Sequence, residues 1–203
     1  MKTNNLKYKG FTVVELMIAT TVFSFILLLC TFGIIQIGRN YYKGSTIVRT
    51  QNVTRSILDD ISNSIEYGGD EPNPQSFAGN SGCFTIGRKI YFYNLNNIPT
   101  SSAAVTGAGL RMYRSGDCTN PVGSFQELLG RNMRLARFNL NYSDSTYAVK
   151  IKVMYGESDL IVDNNNDNAS VSTNYDQFHC KTTEGSQFCA SSELETTVTR
   201  KVE

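Results

Sequence analysis

Gly10-Phe11-Thr12-Val13-Val14-Glu15-Leu16 marks the point where a basic leader gives way to a long apolar run, and its reading decides the fold. Lys2, Lys7 and Lys9 precede it, and no acidic residue occurs among the first ten. Residues 16–37 carry no charge. Helical, this run measures about 33 Å, enough to cross the roughly 30 Å hydrocarbon layer of a bilayer. Glu15 is the one charge in an otherwise membrane-compatible stretch. An unpaired carboxylate in hydrocarbon is costly, so a charge kept there reads as functional.

Such a carboxylate needs a cation within about 4–6 Å to stay ionised. A chain cut between Gly10 and Phe11 would acquire an amine four residues from Glu15, about one helical turn away. Its ordinary pKa near 8 leaves it charged at neutral pH. The pair could form within one chain or with a staggered neighbour, and the spacing alone leaves both open. A secretory signal peptide fits poorly, because its apolar core is only about 7–15 residues and a small-residue cleavage site follows. A lipidation site at Cys30 is disfavoured by the bulky Leu29 before it. Cys30 reads as a small apolar residue of the helix.

The stretch Lys9-Gly10-Phe11-Thr12-Val13-Val14-Glu15-Leu16 resembles the processing site of type IV prepilins and of the pseudopilins of secretion and DNA-uptake systems. The resemblance covers roughly residues 7–40 and rests on glycine, aromatic, glutamate and apolar run at the family's spacing. It implies cleavage after Gly10 by a prepilin peptidase that also methylates Phe11. It implies that Glu15 pairs with the N-terminal amine of a neighbouring subunit. The partners it implies are that peptidase/methyltransferase, other pilin or pseudopilin subunits, the membrane and an inner-membrane assembly platform. The expected product is a structural minor pilin or pseudopilin in a type IV pilus or pilus-like filament, not an enzyme. A tip-binding adhesion module and a plain single-pass anchored protein are the alternatives.

Nineteen basic and 18 acidic residues give a net charge of +1, and losing the three leader lysines leaves −2. A near-neutral domain has no electrostatic footprint for nucleic acid. Beyond Cys30 stand Cys83, Cys118, Cys180 and Cys189. An even set beyond a membrane span points to two disulfides and an extracytoplasmic domain, with the N-terminus cytoplasmic. Of three pairings, sequence proximity favours Cys83–Cys118 and Cys180–Cys189. No Cys-x-x-Cys supports zinc.

Past the span, Ile47, Thr50, Thr54, Ile57, Leu58, Ile61 and Ile65 recur at helical spacing. Gly68-Gly69 with Pro72 and Pro74 ends the pattern. The expected fold is α+β and pilin-like: a long N-terminal helix over 11–67 packed on an antiparallel sheet. Its organisation is a leader at 1–10, a transmembrane or filament-core helix at 11–38, an amphipathic half at 39–67 and a β-rich head at 68–203. Strands are expected at 84–87, 89–95, 110–114 and 194–202, with 125–129 ambiguous. A hairpin of 134–142 with 146–155 turns at Ser143-Asp144-Ser145, and residues 99–107 read as a loop. Tyr41-Tyr42 reads as an interfacial aromatic belt.

Asp163, Asn165 and Asp167 place oxygen donors at the alternating spacing of a calcium loop. Asn168 stands in for the usual glycine, and the distal glutamate is replaced by Asn174. A solvated polar turn explains the same residues. No other cofactor is expected. The chain has one histidine, His179, expected in a loop beside Cys180, and no phosphate loop, metalloprotease pair or nucleophile elbow.

Overall fold

The first helix begins at Val13, behind Thr12, two residues later than the apolar pattern suggests. The computed structural model describes residues 10–76, 81–95, 109–143, 146–162, 177–182 and 185–201. Helix α1 (Val13–Tyr67) runs through Gly33, Gly38 and Gly44 without a break. It ends where Gly69 takes a left-handed φ of 79°. The chain divides into two compact units, 1–41 and 42–203.

The first unit is helix from Val13 onward. Its large apolar side chains lie between 49% and 84% exposed. The hydroxyls of Ser24 and Thr31 donate to carbonyls four residues back, and those of Thr20 and Thr21 to carbonyls three back. The hydroxyls of this apolar stretch are thereby satisfied within the helix itself.

The second unit holds the sheets. In chain order the strands are β1 (Asn73–Ser76), β2 (Ser81–Ile86), β3 (Lys89–Asn94), β4 (Leu110–Tyr113), β5 (Ser115–Gly116), β6 (Pro121–Val122), β7 (Gln126–Glu127), β8 (Met133–Ser143), β9 (Thr146–Tyr155), β10 (Ile161–Val162), β11 (His179–Cys180) and β12 (Ala190–Thr199). All pairings are antiparallel. One sheet has the order β1-β2-β3-β4-β7 and a second the order β12-β9-β8, with ribbons β5–β6 and β10–β11 beside them. The architecture is α+β, a long helix with antiparallel sheets.

The amphipathic half of α1 buries Thr50, Thr54, Ile57, Leu58, Ile61, Ser64 and Ile65. The spacing of three and four keeps these residues on one face. Ile57, Leu58, Ile61 and Ile65 share one core with both sheets. Tyr91 stacks on Phe84 at 4.8 Å and Phe84 on Phe138 at 4.9 Å, joining the two sheets through three rings. On β9 the odd residues Tyr147, Val149, Ile151 and Val153 face this core. Successive strand residues point to opposite faces, so Lys150 and Lys152 face outward.

Met154 is an even residue, yet it is fully buried. A bulge between Leu135 and Arg137 leaves Ala136 without a partner on β9. Ala136 joins Met154, Ile161, Phe178 and Cys189 in a second, smaller core. An inserted residue reverses the facing of the strand locally. The bulge thus keeps Leu135 before it and Phe138 after it on the main core, while Ala136 joins the second core.

β1 carries Pro74, which cannot donate to a ladder and therefore sits on the edge of its sheet. Its partner β2 turns into β3 through Gly87 and Arg88. Gly87 has φ 56°, and a Cβ there would lie 2.4 Å from the Gly68 carbonyl oxygen. This turn therefore seats backbone against backbone at the end of α1. The expected loop at 99–107, and Asp144-Ser145 of the β8–β9 turn, lie outside the described residues.

Candidate functional site

At the N-terminal junction, Gly10 and Phe11 precede the helix, and Phe11 is 84% exposed. A Cβ at Gly10 would meet nothing within 4 Å. The Gly10–Phe11 peptide bond is thus non-helical and exposed among the described residues. Thr12 caps the helix. Its N–H and its hydroxyl both donate to Glu15 Oε2 at 2.9 Å, and the Glu15 N–H donates to Thr12 Oγ1 at 3.3 Å. This reciprocal pattern is a capping box, in which the N-cap hydroxyl and the third-residue carboxylate each satisfy the other's backbone N–H. A carboxylate in the first turn also suits the positive end of the helix dipole.

Glu15 therefore has an intramolecular role that its isolated charge does not suggest. The Thr-x-x-Glu spacing carries that signal in the sequence. The bonds fix the carboxylate beside residue 12.

The two disulfides are Cys83–Cys118 and Cys180–Cys189, with Cα separations of 5.8 and 5.7 Å. These are the pairings that sequence proximity favours. Cys83 and Cys118 bury with Ile90 in a small core of their own. Cys30 is exposed on the first unit and unbridged. His179 lies on β11 rather than in a loop, exposed, with Nδ1 3.1 Å from the Gln177 carbonyl oxygen.

A polar cluster that residue spacing does not reveal joins α1 to β3. Tyr91 Oη donates to Asp60 Oδ2 at 2.7 Å, and Lys89 Nζ donates to Asp60 Oδ1 at 2.6 Å. Ser64 Oγ donates to the Asp60 carbonyl oxygen at 2.7 Å and lies 3.1 Å from Tyr91 Oη. Burial pushes the Tyr91 phenol well above its usual range, with Asp60 adding to the rise and the Ser64 bond opposing it. Tyr91 is therefore a fixed neutral donor rather than an acid. Arg134 is also fully buried, and burial pushes its guanidinium down to about 10, still charged at neutral pH.

At the far end of α1 no basic residue occupies the last turn. The C-terminal segment supplies the charge instead. Lys201 pairs with Glu66, and its N–H donates to the Glu66 carbonyl oxygen at 3.0 Å. Arg200 donates to the Gly69 carbonyl oxygen and to Glu71. Cations there complement the negative end of the helix dipole.

Asp163, Asn165 and Asp167 lie outside the described residues. Among the described residues no three His, Cys, Asp or Glu side chains converge as a metal site. A groove of about 420 Å³ is lined by Ser64, Tyr67, Arg88 and Lys89, and one of about 580 Å³ by Tyr155, Glu157, Asp159 and Phe188. Neither is lined by a cysteine or a histidine, so neither offers a thiol–imidazole pair.

These features define a class: a chain with an apolar, membrane-compatible N-terminal helix, an open junction ahead of it and a disulfide-bonded β-rich unit behind it. The family model of the prokaryotic N-terminal methylation motif matches residues 5–31. The chain thus carries the prepilin-type signature, and the match takes in Gly10, Phe11, Thr12 and Glu15. No curated protein and no solved structure matches the chain.

Proposed function

We propose that this protein is a structural minor pilin or pseudopilin rather than an enzyme. It is held in the cytoplasmic membrane by residues 11–38, with its disulfide-bonded unit outside the cytoplasm. A prepilin peptidase cuts after Gly10 and methylates Phe11, and the subunit joins a pilus-like filament through the apolar half of α1. The observation that carries this reading is Glu15, a lone charge held at the first turn of an otherwise uncharged helix beside the cleavage junction. Once the Phe11 amine exists, the Glu15 carboxylate has a choice between its own capping residue and a neighbour's amine. Pairing with a neighbour fixes the axial register of the new subunit.

The test is the mass of the mature N-terminus. A product starting at N-methylated Phe11 supports the reading, and an intact Met1 overturns it. Glu15→Ala is expected to be cleaved normally but to enter filaments poorly. Undiminished incorporation would refute the charge-pair account while leaving the processing account standing.

A further inference from the structure

The Cys180–Cys189 disulfide closes a loop whose last turn is a single 3-10 turn, Ser186–Phe188. The Phe188 ring lies 5.9 Å from that of Tyr42, and Thr46 Oγ1 donates to the Gln187 carbonyl oxygen at 3.3 Å. Both rings remain open, Tyr42 at 56% exposure and Phe188 at 47%. The turn is rigid. The Phe188 N–H donates to the Gly185 carbonyl oxygen at 2.9 Å, and Gly185 supplies the left-handed φ of 88°. A cross-linked loop thus fixes an aromatic ring outward next to a second exposed ring.

Tyr42 follows Ile37, the last large apolar residue before Arg39, by five residues. Five residues reach no further than about 17 Å even when fully extended. The headgroup layer on each side of a bilayer is itself about 5–7 Å deep. Tyr42, and the Phe188 ring that touches it, are tethered within reach of that layer. Rings with an apolar body and a polar tip favour it, as Tyr42 does. Lys43, exposed beside Tyr42, and Lys181, beside Cys180, offer cations to lipid phosphates.

We propose that Tyr42 and Phe188 form a membrane-surface contact, seating the Ser186–Phe188 turn in the phospholipid headgroup layer. The contact rests on the reading of residues 16–37 as a membrane anchor. It gives the second unit a lipid attachment besides the covalent one.

The chain has no tryptophan, so Phe188→Trp introduces a single reporter. The full-length variant is reconstituted into phosphatidylcholine vesicles and floated on a density gradient. Its emission is then compared with and without lipids brominated near the top of the acyl chains. Tyr142→Trp is the reference. Tyr142 pairs with Tyr147, which lies eight residues along β9 from Tyr155, about 27 Å. Tyr155 lines the same groove as Phe188.

The expected result is a floating protein in which F188W is blue-shifted and quenched severalfold more than Y142W. A protein that floats while F188W shows water-like, unquenched emission overturns the contact and leaves the anchor standing. A blue-shifted but unquenched F188W means that protein covers the ring, and overturns the lipid contact equally. A protein that does not float overturns the anchor and the contact together. If F188W does not fold, Tyr42→Trp reports on the same patch, and the same emission outcomes support or overturn the contact.

Discussion

The two stretches of α1 treat hydroxyl side chains alike and apolar side chains in opposite ways. In the first unit Ser24 and Thr31 bond to carbonyls one turn back, and in the second Thr46, Thr50, Thr54 and Ser64 do the same. The apolar residues diverge: Leu28, Ile34 and Ile37 are 58–71% exposed, whereas Ile57, Ile61 and Ile65 are at most 3% exposed. The second stretch is an ordinary amphipathic helix whose cover is its own sheet. The first has no cover in its own unit, yet leaves no hydroxyl looking for water. That combination suits lipid or the apolar helices of other subunits, where each unpaired polar group would be costly.

The comparison can be broken most forcefully at the disulfides, which only the second unit has. Replacing both Cys83 and Cys118 by Ser is expected to lower the stability of that unit by about 4 kcal/mol, and replacing Cys180 and Cys189 by about 2.5 kcal/mol, from the loops they close. Denaturant titration of the full chain in detergent, followed by near-ultraviolet dichroism, measures both. Equal losses would show that loop entropy does not govern the difference.

Next in size is a matched pair of truncations. Ile61→Ala removes a fully buried side chain from the main core and is expected to cost about 3 kcal/mol. Ile35→Ala makes the same chemical change where the side chain is 49% exposed. It is expected to leave the melting of the second unit unmoved. A comparable loss at Ile35 would erase the distinction between the two stretches.

Tyr91→Phe keeps the ring stack and deletes the hydroxyl that donates to Asp60. The carboxylate retains Lys89 but loses its bond from the sheet's buried phenol. The expected cost is about 1–2 kcal/mol, since hydrogen bonds to charged groups are stronger than neutral ones. A melt of the variant against Tyr93→Phe, whose ring packs on the same core, isolates the hydroxyl's share.

The sequence makes some of this legible and conceals the rest for identifiable reasons. The second stretch of the helix and β9 follow from periodicity, because each buries one face at its own repeat, whereas β2 and β3 follow from their aromatic and β-branched residues. β12 begins four residues before its expected start, since Ser191 and Ser192 lack the β-branched signature although Ser192 is buried. β1 stays hidden because Pro72 and Pro74 read as helix stops, and only its edge position permits Pro74. β10 and β11 are two residues each, too short for any period. Asp60 falls on the polar face by spacing, yet it sits at the flank where a tyrosine and a lysine from β3 reach it. Arg134 opens the expected strand 134–142, and nothing in its charge signals that it is fully buried. At the junction, Glu15 is legible as functional because it stands alone. Thr12 escapes notice beside it, although its spacing to Glu15 is that of a capping box.

The smallest effect expected concerns Glu127, where burial and pairing compete within the second unit. Its Oε1 accepts the Leu110 N–H at 3.2 Å and the Leu129 N–H at 3.4 Å, and Arg111 Nε lies 3.7 Å from Oε2. Each of these favours the carboxylate, but burial outweighs them and pushes the acid above its ordinary 4.5. The folded chain therefore holds this proton more tightly than the unfolded chain does. Stability should rise as pH falls through the folded value, with the gain complete once pH drops below the unfolded value. Glu127→Gln removes the titration, so the stability of the wild type relative to the variant should increase between roughly pH 7 and pH 4. Paired melts across that range measure the difference. A gap that narrows on acidification would mean that Arg111 and the two amides overcome burial, with the carboxyl depressed instead of raised. The second unit would then hold its buried charges as stabilising pairs, and the contrast with Glu15, whose partners are a hydroxyl and an amide of its own helix, would have to be redrawn.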